Sequence, residues 1–131
     1  FDYDRARAHG ARVALGTDIA AGSDVGMPRV ARGFIETAKV RAMTAPGGAG
    51  SVYIPSPAEA WRKITLENAS LLGWEDGGRI EVGAAADLLV LRTPDGWLDE
   101  HLVGRLIYNW SRDLIESRVF AGAVVDPATI A

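Results

Sequence analysis

The sequence predicts an α/β protein, on three observations. Residues 13 to 16 read "VALG", an apolar run without the apolar/polar alternation of a half-exposed strand, so it reads as a strand covered on both faces, as in parallel sheets under helices. Two later stretches repeat apolar residues at helical spacing behind clear start signals. From residue 76 onward, short apolar runs alternate with glycine turns, which marks a small β-rich element. The chain thus divides into residues 1–75 and 76–131.

The opening "FDYDRARAHGA" has the Ala/Arg spacing of a helix end, with Gly10 placed to stop it before a strand at residues 12–17. The glycine-rich "IAAGSDVGMP" that follows Asp18 is a loop. Pro28 suits a first helical turn, and Val30, Phe34, Ala38 and Ala42 then recur every fourth residue, with Arg29, Arg32, Glu36, Lys39 and Arg41 on other faces. This predicts a helix over 28–43. After "TAPGGAGSVYIPSP", Ser56 and Glu59 form a capping-box pair around Pro57, and Trp61, Ile64, Asn68 and Leu71/Leu72 share a stripe that Gly73 ends. Asn68 on that stripe reads as a structural hydrogen-bonding contact to a neighbouring loop and is assigned no chemistry. Further on, strands are predicted around Arg79–Val82 and Asp87–Leu91 and a helix around Leu98–Leu106. "LIESRVFAGAVVD" is a hairpin turning at Ala121-Gly122, with Pro127 ending the order.

Composition narrows the function. At 48% hydrophobic residues the 131-residue chain can bury a real core, so disorder is excluded. A net charge of -3, with no clustered Lys/Arg, argues against nucleic-acid binding. Without cysteine there are no disulfides, thiolate nucleophiles or Cys-based zinc sites. No apolar run reaches the ~18 residues of a membrane span and the polar opening is no signal peptide, so a cytoplasmic protein is expected. The glycine stretches lack the G-x-x-x-x-G-K-[ST] and G-x-G-x-x-G spacings, and G-x-S-x-G is absent. His9 and His101 do not make a metal-ligand pair by spacing and read as structural or solvated.

Asp18 remains. An aspartate ending a strand commonly makes an Asx-turn, which is also the simpler reading of Asp24. In sheets covered by helices, however, ligands bind beyond the carboxyl ends of the strands, which makes Asp18 a candidate site residue.

Taken in order, "ALGTD", a small-residue loop, a helix, "SPAEAWRKITLENASLLG" and "GRIEVGAAADLLVL" resemble the C-terminal part of the amidohydrolase superfamily. Thr65, Asn68, Ala69, Leu72 and Gly73 match a "T-x-N-A-A-x-x-L-G"-like run. Gly78, Ile80, Gly83, Ala86, Asp87 and Leu88 match the segment that enters a small β-sandwich. The resemblance implies the C-terminal portion of a metal-dependent (β/α)8 barrel plus part of that sandwich. It also implies that Asp18 is both the metal ligand and the catalytic carboxylate that moves the proton of metal-bound water. "LGTDIAAGSDVGM" looks most like the guanine deaminase branch, which hydrolyses guanine to xanthine and ammonia; chlorohydrolases and nucleoside-type aminohydrolases share the architecture.

The superfamily's H-x-H and H-x-x-E motifs are missing, and a barrel of ~250 residues does not fit in this length. The expectation is therefore a fragment, inactive and without bound metal by itself, whose complete enzyme uses zinc or another divalent metal on a small purine-like substrate. Homo-oligomerisation, or association with the missing N-terminal part, is expected to cover its open edges. The other readings are a catalytically dead binding or scaffold domain and an unrelated α+β domain.

Overall fold

The computed structural model describes residues 1–22 and 24–125. A short helix α1, Tyr3–Ala8, is capped by the Asp2 side chain and stops before Gly10, whose φ of +69° suits only glycine without strain. Helix α2 spans Met27–Thr44, with Pro28 in its first turn. Its buried stripe is Ala31, Ile35, Ala38 and Ala42, while the expected Val30 and Phe34 are half-buried beside it. The stripe is shifted because its centre is lined with alanines, which let neighbouring helices approach closely.

The Ser56 signal is realised in full. Ser56 Oγ accepts from the Glu59 N–H at 3.2 Å, and Glu59 Oε2 accepts from the Ser56 N–H at 2.8 Å. Behind this cap run helix α3, Pro57–Arg62, a π turn, Lys63–Glu67, and helix α4, Asn68–Leu71, without a break. Gly73, at φ +74°, ends the rod, and the Trp74 N–H bonds the Ala69 carbonyl at 2.8 Å.

Helix α5, Leu102–Tyr108, starts later than the sequence predicts. Asp99 delays it: its carboxylate accepts the His101 N–H at 2.8 Å and pairs with Arg105 at 2.8 Å, which fixes a turn before the helix. α5 packs across α2 and α3, so that Ile107 joins Ala31, Ile35 and Ala60 in the core, with Trp61, Ile64 and Val103 around them.

Strands β1, Leu88–Leu91, β2, Ile115–Phe120, and β3, Ala123–Val125, form one antiparallel sheet in that order. The predicted hairpin is present: Ala121 and Gly122 take φ +49° and +79°, as a two-residue turn with both residues left-handed requires. Asp87 Oδ1 accepts the Ala121 N–H at 2.7 Å, tying this turn to the start of β1. A second sheet facing this one, as a sandwich needs, does not occur among the described residues.

Two predicted strands are not formed. Residues 79–82 fold into turns, with the Ala84 N–H on the Glu81 carbonyl and the Ala85 N–H on the Asp76 carbonyl, and Ile80 and Val82 are exposed. Residues 12–17 join no ladder, because among the described residues the sheet consists of β1–β3 and offers them no neighbour. Pro127 lies outside the described residues.

Ile107→Ala should cost about 2–5 kcal/mol in urea unfolding, since the side chain is 1% exposed at the meeting point of three helices. At the cap, the Tyr53 hydroxyl, and then the Ser56 backbone and side chain, hold the Glu59 carboxyl below its ordinary pKa. Its folded pKa being depressed, this stabilisation is present above the ordinary glutamate value and is lost as pH falls through the folded one. Glu59→Gln should therefore lower stability at neutral pH and shrink the stability difference between neutral and acidic solution, as read by parallel urea titrations.

Candidate active-site segment

The extended segment over residues 12–18 is held from one side by the α3–α4 rod. The Leu15 N–H donates to Asn68 Oδ1 at 3.0 Å, and Asn68 Nδ2 donates to the Leu15 carbonyl at 2.7 Å. One side-chain amide thus supplies both bonds that a residue of an adjoining strand would make. Lys63 Nζ donates to the Val13 carbonyl at 3.3 Å, and Arg12 donates to Ser70 Oγ at 2.9 Å. Asn68 is the structural contact that the sequence indicates.

Burial along the segment alternates. Val13, Leu15 and Thr17 are half-buried, whereas Ala14, Gly16 and Asp18 are exposed. The expectation of a strand covered on both faces is therefore not met within this chain, which lays helices against one face only. Asp18 is exposed like the two small residues, at the point where the extended run ends.

Asp18 itself has φ +47°, a left-handed conformation that aspartate tolerates better than most residues, and Ala20 has φ +87°. The Asp18 carbonyl accepts the N–H groups of Ala21, at 3.0 Å, and Gly22. Gly22 passes so close to the segment that a Cβ there would lie 1.8 Å from the Thr17 carbonyl oxygen. Among the described residues the Asp18 carboxylate accepts no hydrogen bond, so they supply no Asx-turn for it. Asp24, by contrast, is the turn residue expected: its Oδ1 accepts the Gly26 N–H at 2.6 Å and its Oδ2 pairs with Arg29 at 3.0 Å, at the start of α2.

The histidines lie elsewhere. His9 is exposed, its Nδ1 at 2.7 Å from the Arg5 carbonyl, and His101 is exposed next to Glu100. No group of three or more His, Asp or Glu that could hold a metal ion occurs among the described residues. Because metal centres of this class take about three protein ligands, these residues do not make up such a centre by themselves.

Lys63 was not singled out by sequence reasoning, yet it is the buried charged residue of the helical rod, 7% exposed. Burial works against its charge, but the Glu67 carboxylate at 2.7 Å, with Tyr3 beside it, keeps its pKa above the ordinary lysine value. A signal was present: Lys63 and Asn68 are polar residues five apart in an otherwise amphipathic helix, a spacing that regular helical pitch does not align.

Comparison with known proteins bears on this geometry. The profile of the amidohydrolase family matches residues 2–124. The chain belongs to the amidohydrolase family. Its fold is shared with guanine deaminase from E. coli (TM-score 0.79, 23% identity) and with guanine deaminase from C. acetobutylicum with bound guanine in the active site (TM-score 0.81, 23% identity), each match covering 96% of this chain and 30% of the other. An adenosine deaminase from Xanthomonas campestris with bound zinc matches at a TM-score of 0.68 and 26% identity, over 94% of this chain and 29% of that one. The amidohydrolase chain thus spans less than a third of the length of these structures, and it shares with them a fragment of the barrel-superfamily fold. A search of curated protein sequences gave no match.

Gly22→Ala should open the turn behind Asp18, because the added methyl collides with backbone and cannot be relieved by a side-chain rotation. Hydrogen exchange over residues 18–22 should accelerate in the variant while exchange in α2 and α5 stays unchanged.

Proposed function

We propose that this chain carries the aspartate-bearing end of a metal-dependent amidohydrolase that hydrolytically deaminates a purine-like base, with guanine the best candidate. The observation that carries the reading is the placement of Asp18: it ends an extended segment and is exposed there, in a chain whose fold matches guanine deaminases at TM-scores of 0.79 and 0.81. Beyond the carboxyl end of such a segment is where this class of fold places its ligands. Residues 1–75 are then the end of the barrel, and residues 76–131 belong to the smaller β-rich part.

In this reading Asp18 has two tasks. As a carboxylate it contributes one ligand to a divalent metal, zinc being the candidate because the X. campestris relative holds it; the other ligands come from parts of the complete protein that this chain does not span. A divalent metal in such a site makes water acidic enough to attack near neutral pH. Asp18 accepts a proton and returns it to the departing amine, so that ammonia leaves in place of a strongly basic amide anion. The small side chains of Ala14 and Gly16 leave room on the open face for the substrate and for the remainder of the molecule, which covers the unpaired edge of the segment. A purine-like small molecule is the partner, and a homo-oligomer is the assembly to look for. No helix among the described residues is long and apolar enough to cross a membrane.

The test is ammonia release by the complete protein from guanine and from adenosine, the second because of the adenosine deaminase match. Asp18→Asn should lower turnover about 10²–10⁴-fold and reduce bound metal, since the amide neither takes the proton nor carries the charge. Unchanged turnover and metal content in Asp18→Asn would overturn the role of Asp18, and turnover of adenosine without guanine would move the substrate assignment.

A further inference from the structure

We infer that the π turn Lys63–Glu67 is a two-point clamp that fixes the register of the Asp18 segment, with Asn68 and Lys63 as positioning residues for that carboxylate. The inference rests on the reading of Asp18 above and extends it to residues that do not touch the site.

In an α-helix, residues five apart point about 140° away from each other. Lys63 and Asn68 nevertheless both reach the same segment, at Val13 and at Leu15. The π turn makes this possible: the Asn68 N–H bonds the Lys63 carbonyl, five residues back, which brings the two side chains onto one side of the rod. The backbone conformation stays right-handed helical on either side, from Arg62 to Asn68, so the extra residue changes the facing of these side chains without ending the helix.

Both contacts are to backbone groups, and residues 13 and 15 of an extended chain direct these groups to the same edge. Asn68 spends its donor and its acceptor on a single residue, which specifies that residue and no neighbour. Lys63 adds a second point two residues upstream, and is itself held by Glu67 at 2.7 Å and by the Tyr3 ring, 5.3 Å from its ammonium. Tyr3 in turn packs edge-on against Phe34 of α2, with ring centroids 4.7 Å apart. The clamp is thereby anchored in the helical part on both sides.

A slip of one residue in an extended segment exchanges its two faces. Held at Leu15, the segment turns Ala14 and Gly16 outward and ends at the exposed Asp18; displaced by one residue, it would exchange its faces and shift Asp18 with them. Asp18 follows Leu15 by three residues, about 10 Å of extended chain, and within the described residues its own carboxylate has no tether. The register upstream therefore decides where the carboxylate is presented.

The test uses the complete protein with four variants, Asn68→Ala, Asn68→Asp, Lys63→Met and deletion of Leu66, alongside Asp18→Asn. Asn68→Asp keeps an acceptor for the Leu15 N–H but sets a carboxylate oxygen against the Leu15 carbonyl, and the deletion returns the turn to α pitch. Hydrogen exchange over residues 13–18 should accelerate about tenfold or more in Asn68→Ala, Asn68→Asp and the deletion, and by less in Lys63→Met, with α2 and α5 unaffected. With guanine, kcat should fall at least about tenfold while KM stays within about twofold, the pattern of a displaced group rather than a lost binding contact. Zinc content read by metal analysis should fall in the same order as exchange rises. Exchange over 13–18 that does not change in Asn68→Ala would overturn the clamp, as would a loss of protection spread evenly over α2 and α5, which marks general destabilisation. The Asp18→Asn variant separates the two readings. If it keeps turnover and metal, the proposed function fails, and the exchange data still judge the clamp; if it loses both while the Asn68 variants keep both, the clamp fails and the function stands.

Discussion

Two hydrogen bonds between the Asn68 side chain and the Leu15 backbone organise the extended segment that ends at Asp18. An extended segment without a neighbouring strand has no ladder to hold it, and its polar backbone groups need partners wherever they meet the protein interior. Here a side-chain amide takes the place of a strand. It is suited to the task because it carries a donor and an acceptor side by side, matching the N–H and C=O of one residue. The alternating burial of residues 13–17 depends on that match.

The helical core gives the amide something firm to be attached to. Ala31 and Ala60 are fully buried where α2 and α3 meet, so these helices lie close, and Ile35 and Ile107 fill the space between them and α5. The capping box at Ser56 fixes the start of the α3–α4 rod, and the left-handed Gly73 fixes its end. Between these two points the π turn inserts its extra residue. A helix so constrained at both termini can carry the irregular turn in its middle, where the fit to the segment requires it.

The same economy recurs in the β-rich part. Asp87 follows three alanines and begins the run that becomes β1, and its carboxylate is spent on the Ala121 N–H of the β2–β3 turn. With the Gly122 N–H bonded to the Ala86 carbonyl, the turn is docked onto the start of β1. Asp87 and Asn68, the two polar residues that most clearly mark the family resemblance, thus both serve the backbone of a distant segment. Asp18 differs from both in that its carboxylate is exposed and accepts no hydrogen bond among the described residues.

The sequence by itself determined whatever depends on neighbouring residues along the chain. The caps at Ser56 and Gly73, the helical extent of α2, the two-residue turn at Ala121-Gly122 and the turn chemistry of Asp24 were legible, because each is settled within a few residues by hydrogen-bond geometry or by the left-handed backbone. The structural character of Asn68 was legible from its place on the helical stripe. Tertiary structure decided the rest. Whether residues 12–17 and 79–82 become strands depends on partners that no local pattern supplies, and among the described residues there are none. The late start of α5 follows from a carboxylate that competes for the turn before it. The burial of Lys63 follows from the π turn, which rewards a contact with Val13, fifty residues away in sequence, and therefore leaves only a faint mark on the periodicity of the helix itself.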